Sequence, residues 1–292
     1  MVDDASSDAS SAVIAEFVHQ VKAIRLDANR GGAFARNRGA DISTGDLILF
    51  LDADDLLGPD SVEHMVMVSR TQPESLIACR FSYLVPDSGG WQRRPARLRT
   101  YAGGDQLLAW LEGNWSPPCC LLWPADVFRR AGRWNESLTR NDDGDLVMRA
   151  LSKGARITSA AGGESLYRRH RQTRQSVSTT RRSESHLKSA IQVLIDLSTE
   201  LEAQQRLPVY AETLSEDLAE IALLSFRAGL HRLGSEVVRG VLQLRASNPT
   251  TPDGLMSAAA DRPNRSTLAD RVYAASIRSR GQARRWLKRR TG

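Results

Sequence analysis

Two aspartates separated by one small residue, Asp52 and Asp54, follow the most apolar stretch of the chain. That stretch, residues 47–51, is continuously apolar, as is typical of a strand buried on both faces in a parallel sheet covered by helices. Ligands of open α/β sheets bind at the carboxyl ends of the strands, where both carboxylates are expected. Such a pair can share Mg²⁺ or Mn²⁺ with a diphosphate. A lone D-x-D also occurs in turns and helix caps, so its context must decide.

A second group of carboxylates opens a segment with helical periodicity later in the chain. The run Asn141-Asp142-Asp143-Gly144-Asp145 stands at the start of that segment. Acidic side chains in a first helical turn interact favourably with the helix dipole, so helix stabilisation is one explanation. The run holds more acids than that role requires, and a chemical role is the alternative.

The elements that would position these carboxylates alternate between helix and strand. Apolar spacing and turn residues predict helix, strand, helix, strand and helix over residues 12–20, 21–27, 33–43, 47–51 and 60–70. Asp60 is the expected N-cap of the last helix. This order of elements indicates the α/β class.

Over the rest of the chain, the sequence pattern predicts a hairpin, then a helix with one or two strands, and then helices throughout. The hairpin strands cover residues 75–85 and 91–101, on either side of a Pro-Asp-Ser-Gly-Gly turn. A helix over residues 141–154 leads to strand pattern over residues 155–170, and the pattern is helical from about Ser183. We therefore expect three regions, which are an α/β domain over residues 1–182, a helical appendage over 183–246, and a linker with a basic tail over 247–292.

Composition excludes several classes of protein. The 292 residues are 41% hydrophobic and 25% charged, which are ordinary globular values and exclude a wholly disordered or fibrous chain. The sequence has no apolar run of the roughly 18 residues that a membrane span requires. The three cysteines form neither a disulfide framework nor a C-x-x-C pair, and the first residues are acidic and polar. We therefore expect a cytoplasmic protein.

Three stretches near the start of the chain resemble, in order and separation, the nucleotide-sugar half of family 2 glycosyltransferases. They read VDDASSD, NRGGAFARNRGA and GDLILFLDADDLLGPD, where that family typically shows V-D-D-G-S-x-D, N-x-G-x-x-x-A-R-N-x-G and a strand ending in L-D-A-D-D. Two later stretches, WNESLTRNDDGDLVMRALSKGARI and YRRHRQTRQSVS, resemble further motifs of the family, so the resemblance covers residues 1 to about 180. It implies a GT-A fold, in which helices cover a Rossmann-like nucleotide-sugar-binding sheet, followed here by an α-helical C-terminal region.

The resemblance assigns donor binding to four residues of the first half. Asp4 matches the aspartate that accepts a hydrogen bond from the nucleotide base, and Arg36 lies in the A-R-N motif near the diphosphate, which a guanidinium can pair with. Asp52 and Asp54 match the D-x-D that holds Mg²⁺ or Mn²⁺, with Asp54 as the direct ligand and Asp52 as the ribose or metal partner. The alternatives are a polar chain terminus for Asp4 and a solvated helix face for Arg36.

The later motifs assign the acceptor side of the reaction. Asp143 takes the place of the general base, which removes the acceptor's proton only as the hydroxyl attacks, and Asp142 replaces the family's glutamate. His170 is a candidate third metal ligand, and Trp115 lies where relatives shape the acceptor pocket and can stack on a sugar. The alternatives are helix capping for Asp143, a solvent-exposed side chain for His170 and loop packing for Trp115.

The sequence departs from the family pattern in two places. The strand and helix that precede the V-D-D motif in the family have no counterpart here, so we expect an N-terminally truncated domain or a start placed too late. Residues 282–286 read QARRW and match Q-x-x-R-W, a signature of processive membrane synthases in this family. Because this motif lies far beyond Asp143 in an arginine-rich tail, we interpret it as chance.

Together these residues predict an inverting, metal-dependent transfer of a sugar from a nucleoside-diphosphate donor, with a UDP-sugar favoured. The acceptor would be a hydroxyl of a glycan or lipid-linked glycan, in cell-envelope polysaccharide synthesis. The alternative is an inactive, truncated glycosyltransferase that acts as a binding or scaffold module. The missing strand favours that alternative, and the retained Asp52, Asp54 and Asp143 oppose it. We expect no nucleic-acid partner, because the acidic front half repels phosphate backbones.

The chain has a formal net charge of +6, and its excess of basic over acidic residues comes mainly from the last residues. Apolar residues at helical spacing among arginines and lysines, together with Trp286, describe a basic amphipathic helix that can lie on an anionic membrane. Gly281 in mid-helix favours the alternative of a frayed, solvated terminus. The membrane interpretation would place the protein at the inner face of the membrane.

Overall fold

Helices and strands alternate along the first half of the chain and helices alone follow. The computed structural model describes residues 1–96, 99–170 and 183–247. The strands in these ranges are β1 (Val2–Asp3), β2 (Ile24–Arg25), β3 (Leu47–Leu49), β4 (Leu56–Leu57), β5 (Ser75–Asp87), β6 (Gly90–Pro95), β7 (Leu121–Pro124) and β8 (Arg156–Arg168). The helices are α1 (Ser10–Ala15), α2 (Gly32–Asp41), α3 (Ser61–Ser69), α4 (Gln106–Leu111), α5 (Ala125–Ala131), α6 (Asp142–Ser152), α7 (Glu184–Ala203), α8 (Leu207–Arg227) and α9 (His231–Ser247), with a 3₁₀ turn at Pro118–Cys120.

A six-stranded mixed sheet organises the first of two units, Met1–Ser176 and Val177–Gly292, into which contacts divide the chain. Its order is β3-β7-β5-β8-β4, and β6 pairs with the far half of β5. The two long strands, β5 and β8, run parallel, while β7 is antiparallel to β3 and β5 and β4 is antiparallel to β8. β1 and β2 form a separate parallel pair. The predicted α/β class is confirmed.

The core of this unit lies where α3 packs on β5 and β8. Met65 of α3, Ile77 and Phe81 of β5 and the three cysteines are buried there. Two adjacent glycines of β8 allow the helix to come close, because a Cβ at Gly163 would lie 2.7 Å from Ser61 Cα. Replacing that glycine would push α3 off the sheet, and its φ of +77° also favours glycine.

The strand that precedes Asp52 differs from its prediction. We expected residues 47–51 to be buried on both faces of a parallel sheet, but β3 is short and half-buried, and Leu51 is 48% exposed. The physical reason is its position, since β3 is the edge strand of this sheet within the described residues and pairs only with the antiparallel β7. The continuous apolar run was therefore a poor guide to burial.

The first helix is also shorter than predicted, ending at Ala15 and burying none of its residues. Val13, Phe17 and Val18, whose spacing suggested a packed face, are exposed. Asp60 occupies the N-cap position of α3 as predicted, but its side chain makes no capping hydrogen bond.

Three other local predictions are confirmed. The hairpin of β5 and β6 turns at residues 88–89, α6 begins at the acidic run, and residues 156–168 form one continuous strand. The helical pattern from Ser183 is confirmed as α7, α8 and α9, where Ser183 caps α7 by accepting the backbone N–H of His186.

The second unit consists, in its described part, of these three helices. α8 packs against both α7 and α9, and the buried residues include Leu187, Leu201, Leu214 and Val238. The predicted basic tail and the Q-x-x-R-W motif lie outside the described residues. Over the described ranges, no helix combines the length and apolarity that a membrane span needs.

We expect Arg149→Met to destabilise the first unit by about 3 kcal/mol, because it leaves a buried carboxylate uncompensated. Arg149 pairs with Asp145, whose side chain is 4% exposed, at 2.6 Å. Arg38→Met is the control, because the Arg38–Asp41 pair is largely exposed and is expected to contribute less than about 1 kcal/mol. Urea unfolding followed by tryptophan fluorescence measures both changes, and equal effects would contradict the role of the buried pair.

Candidate active site

Asp4, near the start of the chain, holds the loop that begins α2. Asp4 accepts backbone N–H bonds from Arg30 and Gly31, one on each carboxylate oxygen and both at 2.7 Å. Gly31 has a φ of +89°, a conformation that glycine adopts readily, and it immediately precedes the helix. Asp4 therefore fixes the start of the helix that carries Arg36, while its contact with a nucleotide base stays a prediction.

Arg36 connects the two groups of carboxylates that the sequence singled out. Its Nη2 lies 2.6 Å from Asp52 Oδ1, and its Nη1 lies 3.0 Å from Asp142 Oδ2. Its guanidinium also lies over the Trp134 ring, 4.5 Å from the ring centre. Burial lowers the pKa of Arg36, but the attraction of Asp52 and Asp142 outweighs burial and raises the pKa overall. Two segments far apart in sequence are thereby held together by one side chain.

Asn37 braces the loop that places Trp134 beside Arg36. Its Nδ2 donates to the Trp134 carbonyl at 3.0 Å and to Glu136 Oε1 at 2.7 Å, and its Oδ1 accepts the Trp134 backbone N–H at 3.1 Å. Arg36 and Asn37 are consecutive on α2. This helix therefore orients the Arg36 guanidinium and, through Asn37, the Trp134 ring on which the guanidinium lies. These bonds give Asn37 a bracing role in this loop.

Asp54 contacts His170, whereas Asp52 contacts Arg36. Asp54 Oδ2 and His170 Nε2 are 3.0 Å apart. Two ligands at right angles in an octahedral shell, each at about 2.1 Å from the ion, are separated by about 3 Å, so this pair fits a divalent cation. The described residues contain no group of three His, Cys, Asp or Glu side chains that could hold a metal. A cation at this pair would need phosphate oxygens or water to complete its shell, as Mg²⁺ commonly does.

Asp143 lies in the first turn of α6, where it lines a small cavity. The other lining residues are Ser116, Pro118, Leu121, Trp123, Trp134, Leu146 and Val147. Burial, followed by repulsion from Asp142, raises the pKa of Asp143 to about 6, although the Gly144 N–H and Arg36 oppose the change. An acid that only stabilises a helix N-terminus favours its charged form, whereas this environment disfavours it. A carboxyl with a pKa near neutrality suits a proton acceptor.

Asp55 and Tyr167 lie beside these carboxylates and were missed as site residues by the sequence interpretation. Asp55 is buried and accepts the Arg168 backbone N–H at 2.8 Å, and burial raises its pKa to about 6. Burial and the nearby charges of Asp143, Asp55 and Asp52 raise the pKa of Tyr167 to about 12. In the sequence, only the position of Asp55 next to the D-x-D and that of Tyr167 near His170 could have indicated a role in the site.

Trp115 packs against the core side of the site. Its ring centre is 6.0 Å from that of Phe81, and the Arg99 guanidinium lies 5.9 Å above it. It is partly buried against the core cluster. These contacts agree with the packing alternative, and a contact of Trp115 with an acceptor stays a prediction.

This chain is similar to a known protein family in sequence and to solved structures in fold. Residues 1–125 match the family model described as Glycosyl transferase family 2. The match covers 125 of the 292 residues, and this part of the chain is similar to family 2 glycosyltransferases. Among solved structures, Staphylococcus aureus TarS 1–349 in complex with UDP-GlcNAc aligns with a TM-score of 0.57 at 15% identity, over 85% of this chain and 78% of that one. This likeness shows the fold alone, and it confirms the predicted GT-A-like architecture.

The sequence relatives are bacterial glycosyltransferases and polysaccharide biosynthesis proteins. The succinoglycan biosynthesis protein ExoU of Rhizobium meliloti is 29% identical over 172 residues, covering 53% of this chain and 49% of that protein. The uncharacterized glycosyltransferase YibD of Escherichia coli is 30% identical over 104 residues, covering 34% of this chain and 30% of that protein. In these alignments the chain spans about half or less of the length of its relatives.

We expect Asp143→Asn to increase the free energy of unfolding at pH 7 by about 1–3 kcal/mol. A carboxyl whose pKa rises from 3.8 to about 6 on folding binds its proton more tightly in the folded state. Wild-type stability therefore falls as pH rises between these values, and the neutral amide avoids this penalty. The gain should be near zero at pH 4, as measured by urea unfolding at the two pH values.

Asp126→Asn is the matched control for a helix-stabilising acid. Asp126 lies in the first turn of α5, and its side chain is 53% exposed and paired with Arg130. We expect its replacement to cost up to about 1 kcal/mol at pH 7. A similar loss for Asp143→Asn would show that Asp143 serves only the helix.

Proposed function

We propose that this protein transfers a sugar from a nucleoside-diphosphate donor, a UDP-sugar, to a hydroxyl of a glycan, with inversion at the anomeric carbon. One observation carries the proposal. The carboxyl of Asp143, with its raised pKa, lies near the D-x-D aspartates, and Arg36 joins the two groups. A proton acceptor and a polar diphosphate site are thus close enough to act on one substrate pair.

On the donor side, Arg36, Asp54 and His170 are the groups that would receive the diphosphate. Arg36 offers a planar guanidinium that can pair with phosphate oxygens, at the expense of its present bonds to Asp52 and Asp142. Asp54 and His170 would hold Mg²⁺ or Mn²⁺. When bound, that cation would supply positive charge that stabilises the departing diphosphate. The TarS structures with UDP-GlcNAc and with UDP support a uridine donor.

On the acceptor side, Asp143 is the proposed general base. Its carboxylate oxygen takes the hydroxyl proton as the acceptor oxygen attacks the anomeric carbon from the face opposite the diphosphate. The new carbon–oxygen bond forms while the bond to the β-phosphate breaks, and the diphosphate leaves with the electron pair. Asp142 pairs with Arg36 next to Asp143, and its repulsion of the Asp143 carboxylate favours protonation of the base.

Polysaccharide synthesis is the proposed setting of the reaction. The relatives ExoO and ExoU of Rhizobium meliloti are both named succinoglycan biosynthesis proteins, which supports a glycan acceptor. The lipid-linked form of the acceptor, the cytoplasmic location and the membrane contact of the basic tail belong to this proposal as well.

A non-catalytic binding module is the second candidate function. Both oxygens of Asp4 are occupied by backbone N–H groups, and Arg36 is already paired with two carboxylates. A site with these groups satisfied internally could bind a glycan without turning over a donor. Turnover measurements distinguish the two candidates.

We expect Asp143→Asn to reduce sugar transfer by about 10²- to 10⁴-fold, because the amide cannot accept the proton. The wild-type rate should rise with pH through about 6, as the carboxyl ionises. Release of UDP from a panel of UDP-sugars in the presence of bacterial polysaccharide measures turnover. The affinity for UDP should be unchanged in the variant. Turnover within a few-fold of wild type would exclude Asp143 as the base.

We expect UDP to bind at least tenfold more tightly with Mn²⁺ than with EDTA, because the cation would join the diphosphate to Asp54 and His170. Asp54→Asn should remove most of this difference. Asp46→Asn is the matched control, since Asp46 is an exposed carboxylate at the other end of β3. Calorimetry measures these affinities, and equal binding by wild type with and without the cation would exclude the metal role.

A further inference from the structure

Three arginines near the carboxyl ends of β5 and β8 each lie against an aromatic ring. The Arg169 guanidinium is 3.8 Å from the centre of the Tyr83 ring. The corresponding distances are 4.8 Å for Arg168 over Trp91 and 5.9 Å for Arg99 over Trp115. We call these three pairs the arginine–aromatic rim. Guanidinium groups stacked in this way are held in place and keep their edges free for hydrogen bonds.

No carboxylate in the described ranges forms a salt bridge with a rim arginine. Within residues 1–96, 99–170 and 183–247, salt bridges engage Arg25, Arg36, Arg93 and Arg149, among others, but none involves Arg99, Arg168 or Arg169. The Nε atoms of Arg99 and Arg168 are also buried and have no hydrogen-bond partner in these ranges. A buried donor left unsatisfied is costly, so a group that stays in this state calls for an explanation.

The rim borders the candidate site on two sides. On the metal side, the Trp91 ring lies 5.5 Å from the ring of His170, which contacts Asp54. On the other side, the Tyr83 ring lies 6.2 Å from that of Tyr167. The rim therefore adjoins the His170–Asp54 pair on one side and Tyr167 on the other.

The centre of the site is acidic, in contrast to its rim. Asp52, Asp54, Asp142 and Asp143 are all there, and Arg36 is their one cationic partner among the arginines and lysines in the described ranges. A negative group would be repelled next to these carboxylates but attracted at the rim. An acceptor hydroxyl is uncharged and can approach Asp143. Trp91 is 45% exposed, and aromatic rings of this kind can pack against a sugar.

We propose that the acceptor is an anionic glycan whose carboxylate or phosphate groups bind Arg168 and Arg169 while a sugar ring stacks on Trp91. This inference rests on the proposed sugar transfer and adds the chemical class of its acceptor. The rim holds the negative groups of the glycan away from the acidic centre and thereby leaves a neutral hydroxyl at Asp143. A carboxylate and a phosphate are recognised by the same guanidinium chemistry.

Binding of three hexasaccharides to the full chain tests this inference. The probes are hexagalacturonate, maltohexaose phosphorylated at its primary hydroxyls, and unmodified maltohexaose. We expect at least one anionic probe to bind at least tenfold more tightly than the neutral one, and we expect the difference to shrink as salt is raised. The anionic probe that binds more tightly identifies the source of the charge. Equal binding of all three probes, or no binding of any, would overturn the inference.

Two arginine variants and a charge-matched control locate the binding. Arg168→Gln and Arg169→Gln should each weaken the preferred anionic probe by about tenfold, as expected for the loss of one charge-assisted contact. Trp91→Ala should weaken the anionic and the neutral probe alike. Arg70→Gln, an exposed arginine at the end of α3 without a salt bridge in the described ranges, should change nothing. An equal loss in Arg70→Gln would mean that net charge alone is responsible and would overturn the inference.

The affinity for UDP separates this inference from the proposed function. We expect Arg168→Gln and Arg169→Gln to bind UDP as wild type does, which also shows that they are folded. Weaker UDP binding in these variants, with unchanged binding of the anionic probe, would assign the arginines to the donor and overturn the inference. If wild type does not bind UDP at all, the proposed sugar transfer fails. Arginine-dependent binding of the anionic probe would then still support the rim as a glycan site.

Discussion

The guanidinium of Arg36 is the interaction on which the candidate site depends. It carries positive charge into a group of carboxylates that would otherwise repel one another, and it contacts Asp52 after β3 and Asp142 at the start of α6. Because Arg36, Asp52 and Asp142 are only partly buried, removing Arg36 should cost less than the roughly 3–5 kcal/mol typical of breaking a fully buried ion pair. The remaining elements serve this contact: Asp4 and Gly31 fix the start of α2, and Asn37 holds the ring beneath the guanidinium.

Two aspartates of this domain, Asp3 and Asp143, differ in how the fold treats their charge. Asp3 accepts hydrogen bonds from Ser11, Ser6 and Arg25, which lower its pKa to about 2, so its charged form is fully used by the fold. Asp143 has fewer such bonds, and burial raises its pKa to about 6. Because its surroundings disfavour its charge, the Asp143 carboxylate lowers the stability of the folded state. Carboxyl groups with strongly shifted pKa values are commonly found in functional sites.

The sequence was informative where the structure is decided locally. The acidic run predicted the start of α6 because first-turn acids and the apolar spacing after them act within one helix, and the hairpin of β5 and β6 followed from its turn residues. It failed for β3, because the neighbours of a strand are set by distant segments. The contacts of Arg36 with Asp142 and of Asp55 with Arg168 join positions 106 and 113 residues apart. No periodicity or spacing encodes such pairs. The motif resemblance pointed to Arg36, Asp54, Asp143 and His170, but it could not say which of them touch.

The arrangement of charge gives the two proposed substrates separate anchoring points. A diphosphate is strongly negative, and so is an anionic acceptor, so both would be repelled by an acidic centre that lacks cations. Arg36 is four-fifths buried, whereas Arg168 is half-buried and Arg169 is exposed at the margin of the site. Salt screens exposed charges over about 8–10 Å and buried ones much less. The attraction of the rim arginines for an anionic acceptor therefore depends on ionic strength and would act while the acceptor approaches. The attraction of the buried Arg36 for a diphosphate would persist after water has been excluded. In the proposed reaction, Arg36 would organise the reacting groups after Arg168 and Arg169 have positioned the glycan.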